Sequence, residues 1–306
     1  MFSLCRTVLL TAAVLALTSF TTLSTGAFTP NALSAQDVDP GLYAGLRWRM
    51  IGPHRGGRTK SVVGVPQEPG VFYTGFVNGG VWKTTDYGRT WVPLFDDQPT
   101  GSIGALAVAA SAPNIIYVGS GEGMQRPDLT TGDGIYKSTD AGETWTHLGL
   151  RDGQQIPQII VDPRDPNRLF VAVLGHPYGP NEERGVFRSL DGGLSFQKVL
   201  YKDEDTGAAE VAFDPSDPEI VYAVLWESRE GPWENGVFRG PGSGLFKSFD
   251  GGDTWRQIGE GLPTGDEGLS RIGIGIAPSD PNRIYAILGS PRDRGGVYRS
   301  DDAGES

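Results

Sequence analysis

The 306-residue sequence predicts an all-β fold, a β-propeller of four-stranded antiparallel blades with about five blades present and the ring incomplete. The first observation behind this is a turn motif, Ser/Thr-x-Asp-x-Gly-x-Thr-Trp, that returns five times. Its central aspartates are Asp86, Asp140, Asp191, Asp250 and Asp302, so the steps are 54, 51, 59 and 52 residues. A period near fifty with turn chemistry at a fixed phase marks a repeat architecture. The second observation is that every period holds short apolar, β-branched runs bounded by Pro, Asp, Asn and Gly, with no sustained helical periodicity.

The elements follow in order within each period. In the second repeat, strands are expected over 102–108, 115–119, 134–138 and 144–148, with Pro113-Asn114 turning between the first two. Later repeats keep the plan. Asp162 to Asn167 precedes a strand over 169–173, Asp214 to Pro218 one over 220–224, and Pro278 to Asn282 one over 284–287. Proline fixes φ while Asp and Asn accept local backbone hydrogen bonds, so these are tight turns.

The aspartate motif joins the third and fourth strands. A short carboxylate there can cap N–H groups that the hairpin leaves unpaired, which makes the five aspartates structural. Gly88, Gly142, Gly193, Gly252 and Gly304 follow them, and Trp91, Trp145, Phe196 and Trp255 then open the outer strand and can wedge between sheets. Catalysis does not need five copies of one residue. The fifth copy reaches only Ser306, before its outer strand, so the chain is expected to be the N-terminal part of a longer protein.

Residues 1–35 read as a cleaved secretory signal: Arg6 in a basic n-region, a mostly apolar run from Val8 to Leu17, and small residues up to Ala35. The propeller is then expected over 36–306, in a protein that is secreted or periplasmic. The one cysteine, Cys5, lies in the leader, so the mature chain has no disulfide. The whole chain carries a formal charge of −11, and losing Arg6 leaves −12. Such an acidic surface argues against nucleic acid and anionic membranes as partners, and no second apolar run approaches membrane-spanning length.

The frame Gly-φ-Phe/Tyr-Lys/Arg-Ser-x-Asp-x-Gly-x-Thr-Trp resembles the Asp box, or bacterial neuraminidase repeat, of sortilin (VPS10)-like propellers, xyloglucan-active glycosidases and the plant photosystem II stability factor. It is most similar to large secreted bacterial proteins labelled glycosyl hydrolases or sortilin-like. That resemblance also rests on Trp48-Arg49-Met50-Ile51-Gly52-Pro53, on Gly119 to Gly123 with Gly132-Asp133-Gly134, and on Leu174 to Gly185. It implies a propeller fold; its relatives divide between enzymes, receptors and assembly factors, so it implies no single activity.

Loops leaving the second strands and linking successive blades are long and varied, at 119–134, 174–185 and 226–244, and are expected to share one face with the segment at 52–58. Arg58, Glu122, His176, Glu182, Arg184 and Trp233 are the candidate ligand-binding residues. The expected function is binding of a peptide or glycan on that face. The alternative is a glycoside hydrolase using paired carboxylates, with Glu122, Asp133, Glu182 and Glu227 as candidates. Trp226 is more readily a core residue than a stacking platform. No cofactor is expected: Gly79 to Thr84 only superficially resembles a phosphate loop, His54, His147 and His176 lack zinc spacing, and Asp203-Glu204-Asp205 reads as an exposed acidic turn. Oligomeric state is not legible.

Overall fold

The computed structural model describes residues 39–46, 57–230, 236–291 and 293–306. The leader over 1–35, Arg55 and Trp233 lie outside the described residues. The chain divides into two compact units, Met1–His54 and Arg55–Ser306. In the first, a short 3-10 turn at Pro40–Tyr43 is capped by the Asp39 carboxylate, which accepts from the Gly41 amide at 2.8 Å.

The second unit is all β, in five antiparallel sheets. The first contains β1 (Thr59–Gly64), β2 (Phe72–Phe76), β3 (Gly80–Thr84) and β4 (Val92–Pro93). The second contains β5 (Ile103–Val108), β6 (Ile116–Ser120), β7 (Ile135–Ser138) and β8 (Thr146–Gly149). The third is β9 (Gln158–Val161), β10 (Leu169–Val173), β11 (Gly185–Ser189) and β12 (Gln197–Leu200). The fourth is β13 (Thr206–Phe213), β14 (Val221–Glu227), β15 (Gly244–Ser248) and β16 (Arg256–Ile258). In the fifth, three strands are described: β17 (Ile272–Ile276), β18 (Ile284–Leu288) and β19 (Gly296–Ser300). Each sheet is a meander in chain order, and the first strands of successive sheets, β1, β5, β9, β13 and β17, lie beside one another. This is the propeller plan, with five blades and no ring closure among the described residues. The strand expected over 220–224 runs on to Glu227.

Blades are held together by apolar layers in which every strand alternates between its two neighbours. Tyr73, Val81 and Phe95 of the first blade pack on Leu106, Val118, Tyr136 and Trp145 of the second. Ala105, Tyr117 and Ile135 of the second meet Leu169, Val171 and Phe187 of the third. The middle strands β6 and β10 are therefore buried along their whole length. Trp145 shows the expected wedge: its ring meets Phe95 edge-on at 5.1 Å and its indole N–H donates to the Leu94 carbonyl at 2.7 Å.

The aspartate turns are built alike. In the second blade, Asp140 Oδ1 accepts from the Thr144 amide at 2.9 Å and from the Ser138 hydroxyl at 2.7 Å, while Oδ2 accepts from the Thr144 hydroxyl. The Ser138 hydroxyl oxygen also accepts the Gly142 amide at 2.8 Å. The Ala141 amide donates to the Asn114 carbonyl at 2.9 Å, tying this turn to the Pro-Asn turn of its own blade. The repetitive turns thus share one face, opposite the long loops.

Candidate functional site

The long loops are linked to one another by hydrogen bonds. Gln125 Nε2 of the second blade's loop donates to Ser228 Oγ of the fourth at 3.4 Å. Tyr178 of the third blade's loop donates its hydroxyl to the Pro127 carbonyl at 3.1 Å. The Glu230 amide reaches the Pro177 carbonyl at 2.6 Å. Loops from three blades therefore form one continuous surface.

Several candidate residues serve as its internal frame. Glu122 is fully buried and takes a two-pronged contact from Arg126, with both hydrogen bonds at 2.7 Å, and it accepts the Thr130 amide at 3.0 Å. Its own amide and that of Gly123 donate to Gln155 Oε1 at 2.7 and 2.8 Å. Arg184 is also fully buried and donates to three carbonyls, Leu174 and His176 at 2.6 Å and Gly179 at 2.8 Å. Burial lowers its pKa to about 10, because the nearby acids Asp205 and Asp203 only partly offset the loss of water. Asp133 is spent on the Tyr136 hydroxyl at 2.7 Å and on Arg151. Trp226 is core: it is buried and its indole N–H donates to the Phe238 carbonyl at 2.9 Å.

The remaining candidates are nearer solvent. His176 Nε2 lies 2.7 Å from Asp152 Oδ1, and Asn181 Nδ2 holds the other oxygen at 3.2 Å. Those bonds hold the Asp152 carboxyl below its usual range against the opposing effect of burial. Glu227 Oε2 accepts the Gly242 amide at 2.9 Å. Glu182 is exposed, and its carboxylate has no ion-pair partner among the described residues. Arg58 is exposed, and its charge helps Arg126 depress the Asp128 carboxyl. Arg126 joins Glu122 to Asp128, and His176 and Arg184 share one loop; Trp233 lies outside the described residues.

Sequence reasoning missed Gln155, Asp152 and three exposed aromatics of this face, Tyr178, Tyr201 and Phe238, which are 44%, 40% and 37% exposed. Phe238 borders a cleft of about 560 Å³ with Val237, Arg239, Ser270, Ser290 and Pro291, between the fourth and fifth blades. At the centre, burial lowers the Lys60 pKa, helped by Arg271, and raises that of Glu210, which Arg271 and Lys60 oppose. Among the described residues no group of three or more His, Cys, Asp or Glu side chains is placed to hold a metal, and no helix is long and apolar enough to cross a membrane.

The fold and its repeated turn define an Asp-box β-propeller. A family model described as Sortilin, neurotensin receptor 3, matches residues 133–264. The chain is similar to the xyloglucanase Xgh74A of Acetivibrio thermocellus, at 26% identity over 64% of this chain and 24% of that protein. It is also similar to an oligoxyloglucan-reducing end-specific xyloglucanase of Emericella nidulans, at 25% identity over 80% of this chain and 31% of that protein. The chain thus spans about a quarter to a third of the length of these relatives. Among solved structures, an ancestral GH74 enzyme superposes with a TM-score of 0.58 at 18% identity, covering 79% of this chain and 30% of that one. The Niastella koreensis GH74 enzyme gives 0.57 at 21%, covering 81% and 37%. These structural likenesses concern the fold.

Proposed function

We propose that this chain is the glycan-binding part of a secreted or periplasmic Asp-box propeller, holding a polysaccharide on its long-loop face. The observation that carries the reading is the division of labour on that face. The buried charges, Glu122 and Arg184, are consumed in fixing the loops, while the rings of Tyr178, Tyr201 and Phe238 stay partly exposed, Tyr201 with Lys198 over one face and Phe238 stacked on Trp226. Aromatic rings on a rigid frame suit sugar rings, which offer flat C–H faces and flanking hydroxyls. The resemblance to xyloglucanases supports a β-glucan of xyloglucan type as the ligand class.

A second reading, glycoside hydrolysis, is favoured by the same relatives. It needs an acid and a base or nucleophile, each a carboxylate, across the bound chain. Glu182 is the most available, since Glu122 and Asp133 are engaged within the protein and Glu227 binds a backbone amide. Affinity electrophoresis through xyloglucan-containing gels, beside a reducing-sugar assay, separates these readings. Retardation that is abolished in Tyr178→Ala or Phe238→Ala supports binding; release of reducing ends lost in Glu182→Gln with retardation intact supports hydrolysis. Migration unaffected by xyloglucan and by other β-glucans would sink the glycan reading.

A further inference from the structure

Most buried carboxylates among the described residues are engaged inside the protein. Glu122 accepts from Arg126 and the Thr130 amide, Asp162 from the Arg164 amide and Arg168, and Asp214 from the amide and hydroxyl of Ser216. Glu230 is the exception. It is 4% exposed, and its Oε1 is buried with no hydrogen-bond partner. Burial raises its pKa, and no neighbouring charge offsets that effect. A buried acid left bare costs free energy that nothing in the fold offsets.

Local geometry sets this acid beside a cleft. After β14 the chain continues as a short antiparallel ribbon, in which Arg229 and Val237 exchange two backbone hydrogen bonds, each at 2.8 Å. That pairing sets Glu230 opposite Gly236 and Ser228 opposite Phe238. Side chains alternate across an extended pair, so Trp226, Ser228 and Glu230 share one face with Gly236 and Phe238. Phe238 stacks on Trp226, with ring centroids 6.3 Å apart. A Cβ on Gly236 would meet the Phe238 ring at 2.5 Å and the Glu230 carboxylate at 2.9 Å. Glycine at 236 is therefore what lets the ring edge and the carboxylate lie side by side. Gly236 and Phe238 line the cleft of about 560 Å³, facing Ser270, Gly289 and Ser290 of the fifth blade's loops.

Two more polar atoms around this face lack partners. Ser290 lines the cleft, and its hydroxyl is buried and unbonded. Gln125 donates to Ser228 Oγ at 3.4 Å, and its side-chain oxygen is likewise buried and unbonded. Glu230 and Gln125 thus bring bare acceptors, and Ser290 a group that both donates and accepts. The missing partner is rich in donors. Charge narrows its class further. A cation would face Arg239 in the same cleft and Arg271, whose guanidinium lies 5.8 Å from the Trp226 ring, while an anion would face Glu230. A neutral ligand carrying hydroxyls suits all of these groups, and its C–H faces suit the Phe238 ring.

We propose that the cleft between the fourth and fifth blades is a subsite for one neutral sugar unit, packed on Phe238 and hydrogen-bonded through its hydroxyls to the Glu230 carboxyl, with Gln125 and Ser290 completing the polar wall. This rests on the glycan-binding reading of the long-loop face and names the place and the anchoring group. The ribbon holds Glu230 in position, and the Pro177 carbonyl accepts its amide at 2.6 Å. Glu230 acts here as a binding residue; no bond is broken.

Glu230→Met keeps the length of the side chain and removes its hydrogen bonding. A carboxyl that serves the ligand and not the fold leaves stability level or raised when it is removed. In the full chain, the expected result is a urea midpoint no lower than the parent's, with about tenfold weaker binding of xyloglucan oligosaccharides by isothermal titration calorimetry. Glu230→Gln, which keeps an acceptor oxygen, should recover part of that affinity. Gly236→Ala drives a methyl into the ring and the carboxylate and should weaken binding by a similar factor with both groups still present. With 13C-labelled glutamate, the Glu230 carboxyl resonance, assigned by its absence from Glu230→Met, should shift on adding the sugar while those of Glu68 and Glu143 stay in place.

A Glu230→Met midpoint well below the parent's overturns the proposal, because the carboxyl then serves the fold. Parent-level affinity in Glu230→Met overturns it as well. A parent chain that binds the oligosaccharides with its Glu230 resonance unmoved overturns the subsite and leaves the glycan reading standing. A parent chain that binds neither xyloglucan nor any other β-glucan overturns both.

Discussion

Replacing Arg184 by methionine should loosen the third blade's long loop while leaving the five-blade core folded. Methionine fills much of the volume and removes the guanidinium, which now serves three carbonyls. The Leu174 contact is wholly buried, so its carbonyl would be left unsatisfied at a cost of about 1–3 kcal/mol. The His176 and Gly179 carbonyls lie nearer the surface, and water can replace part of what they lose. Against this stands the relief of an arginine buried without a carboxylate at salt-bridge distance, already visible in its pKa of about 10. The balance is a destabilisation of about 2–4 kcal/mol. Urea unfolding followed by tryptophan fluorescence measures it, and hydrogen exchange should place the new opening at 174–182. Arg184→Lys keeps a charge but cannot span three acceptors, so it should restore only a minor share. A midpoint and exchange profile indistinguishable from the parent protein would refute the assignment of Arg184 as the frame of the loop.

Three further outcomes are expected. Asp86, Asp140, Asp191 and Asp250 are held at about 2, below the ordinary aspartate value of 3.8, chiefly by the hydroxyl four residues on and then by that residue's amide. Their contribution to stability is therefore present above pH 3.8 and is lost as pH falls toward about 2; carboxyl NMR titrations with midpoints near 3.8 would contradict this. Gly88→Ala should cost about 1–2 kcal/mol from its left-handed backbone alone. Gly193→Ala should cost about 1–3 kcal/mol more, because its methyl strikes Leu148 at 2.4 Å, and equal urea midpoints for the two would count against the blade contact. Trp226→Phe should lower stability through loss of the Phe238 bond, and parent-level stability with weakened glycan retention would mark Trp226 as a binding residue instead.

The fold was legible because it is periodic. Each turn is specified locally: Ser138, Asp140 and Thr144 lie within seven residues and satisfy one another, so their spacing alone carries the geometry. The site was legible only as a set of loops. Glu122 and Arg184 are charged residues in long variable segments, the usual mark of a binding surface, yet both turn inward. Glu122 is turned by Arg126 and the Thr130 amide and Arg184 by the carbonyls of Leu174, His176 and Gly179, and neither a nearby arginine nor a backbone group shows in the sequence which charge is buried. The bonds that tie each blade to the turn of the next were hidden for a different reason. The lysine or arginine before each turn serine reads as surface charge until the neighbouring blade's carbonyl is seen beneath it.

That arrangement bears on how such a chain can grow. In each of the first four units a lysine or arginine on one flank donates to the turn carbonyl of the next unit, Lys83 to Ala141, Lys137 to Gly192, Arg188 to Gly251 and Lys247 to Ala303, so each of these junctions is encoded in the repeat itself. Tandem duplication of one unit therefore creates a matched boundary at once, with no compensating change elsewhere. Substitutions confined to the long loops leave those boundaries untouched, so what the opposite face recognises can change without disturbing the contacts between units. At Phe170, where the neighbouring blades carry Tyr117 and Tyr222, Arg188 alone makes the bond to the next turn, so one cation is enough to form a boundary.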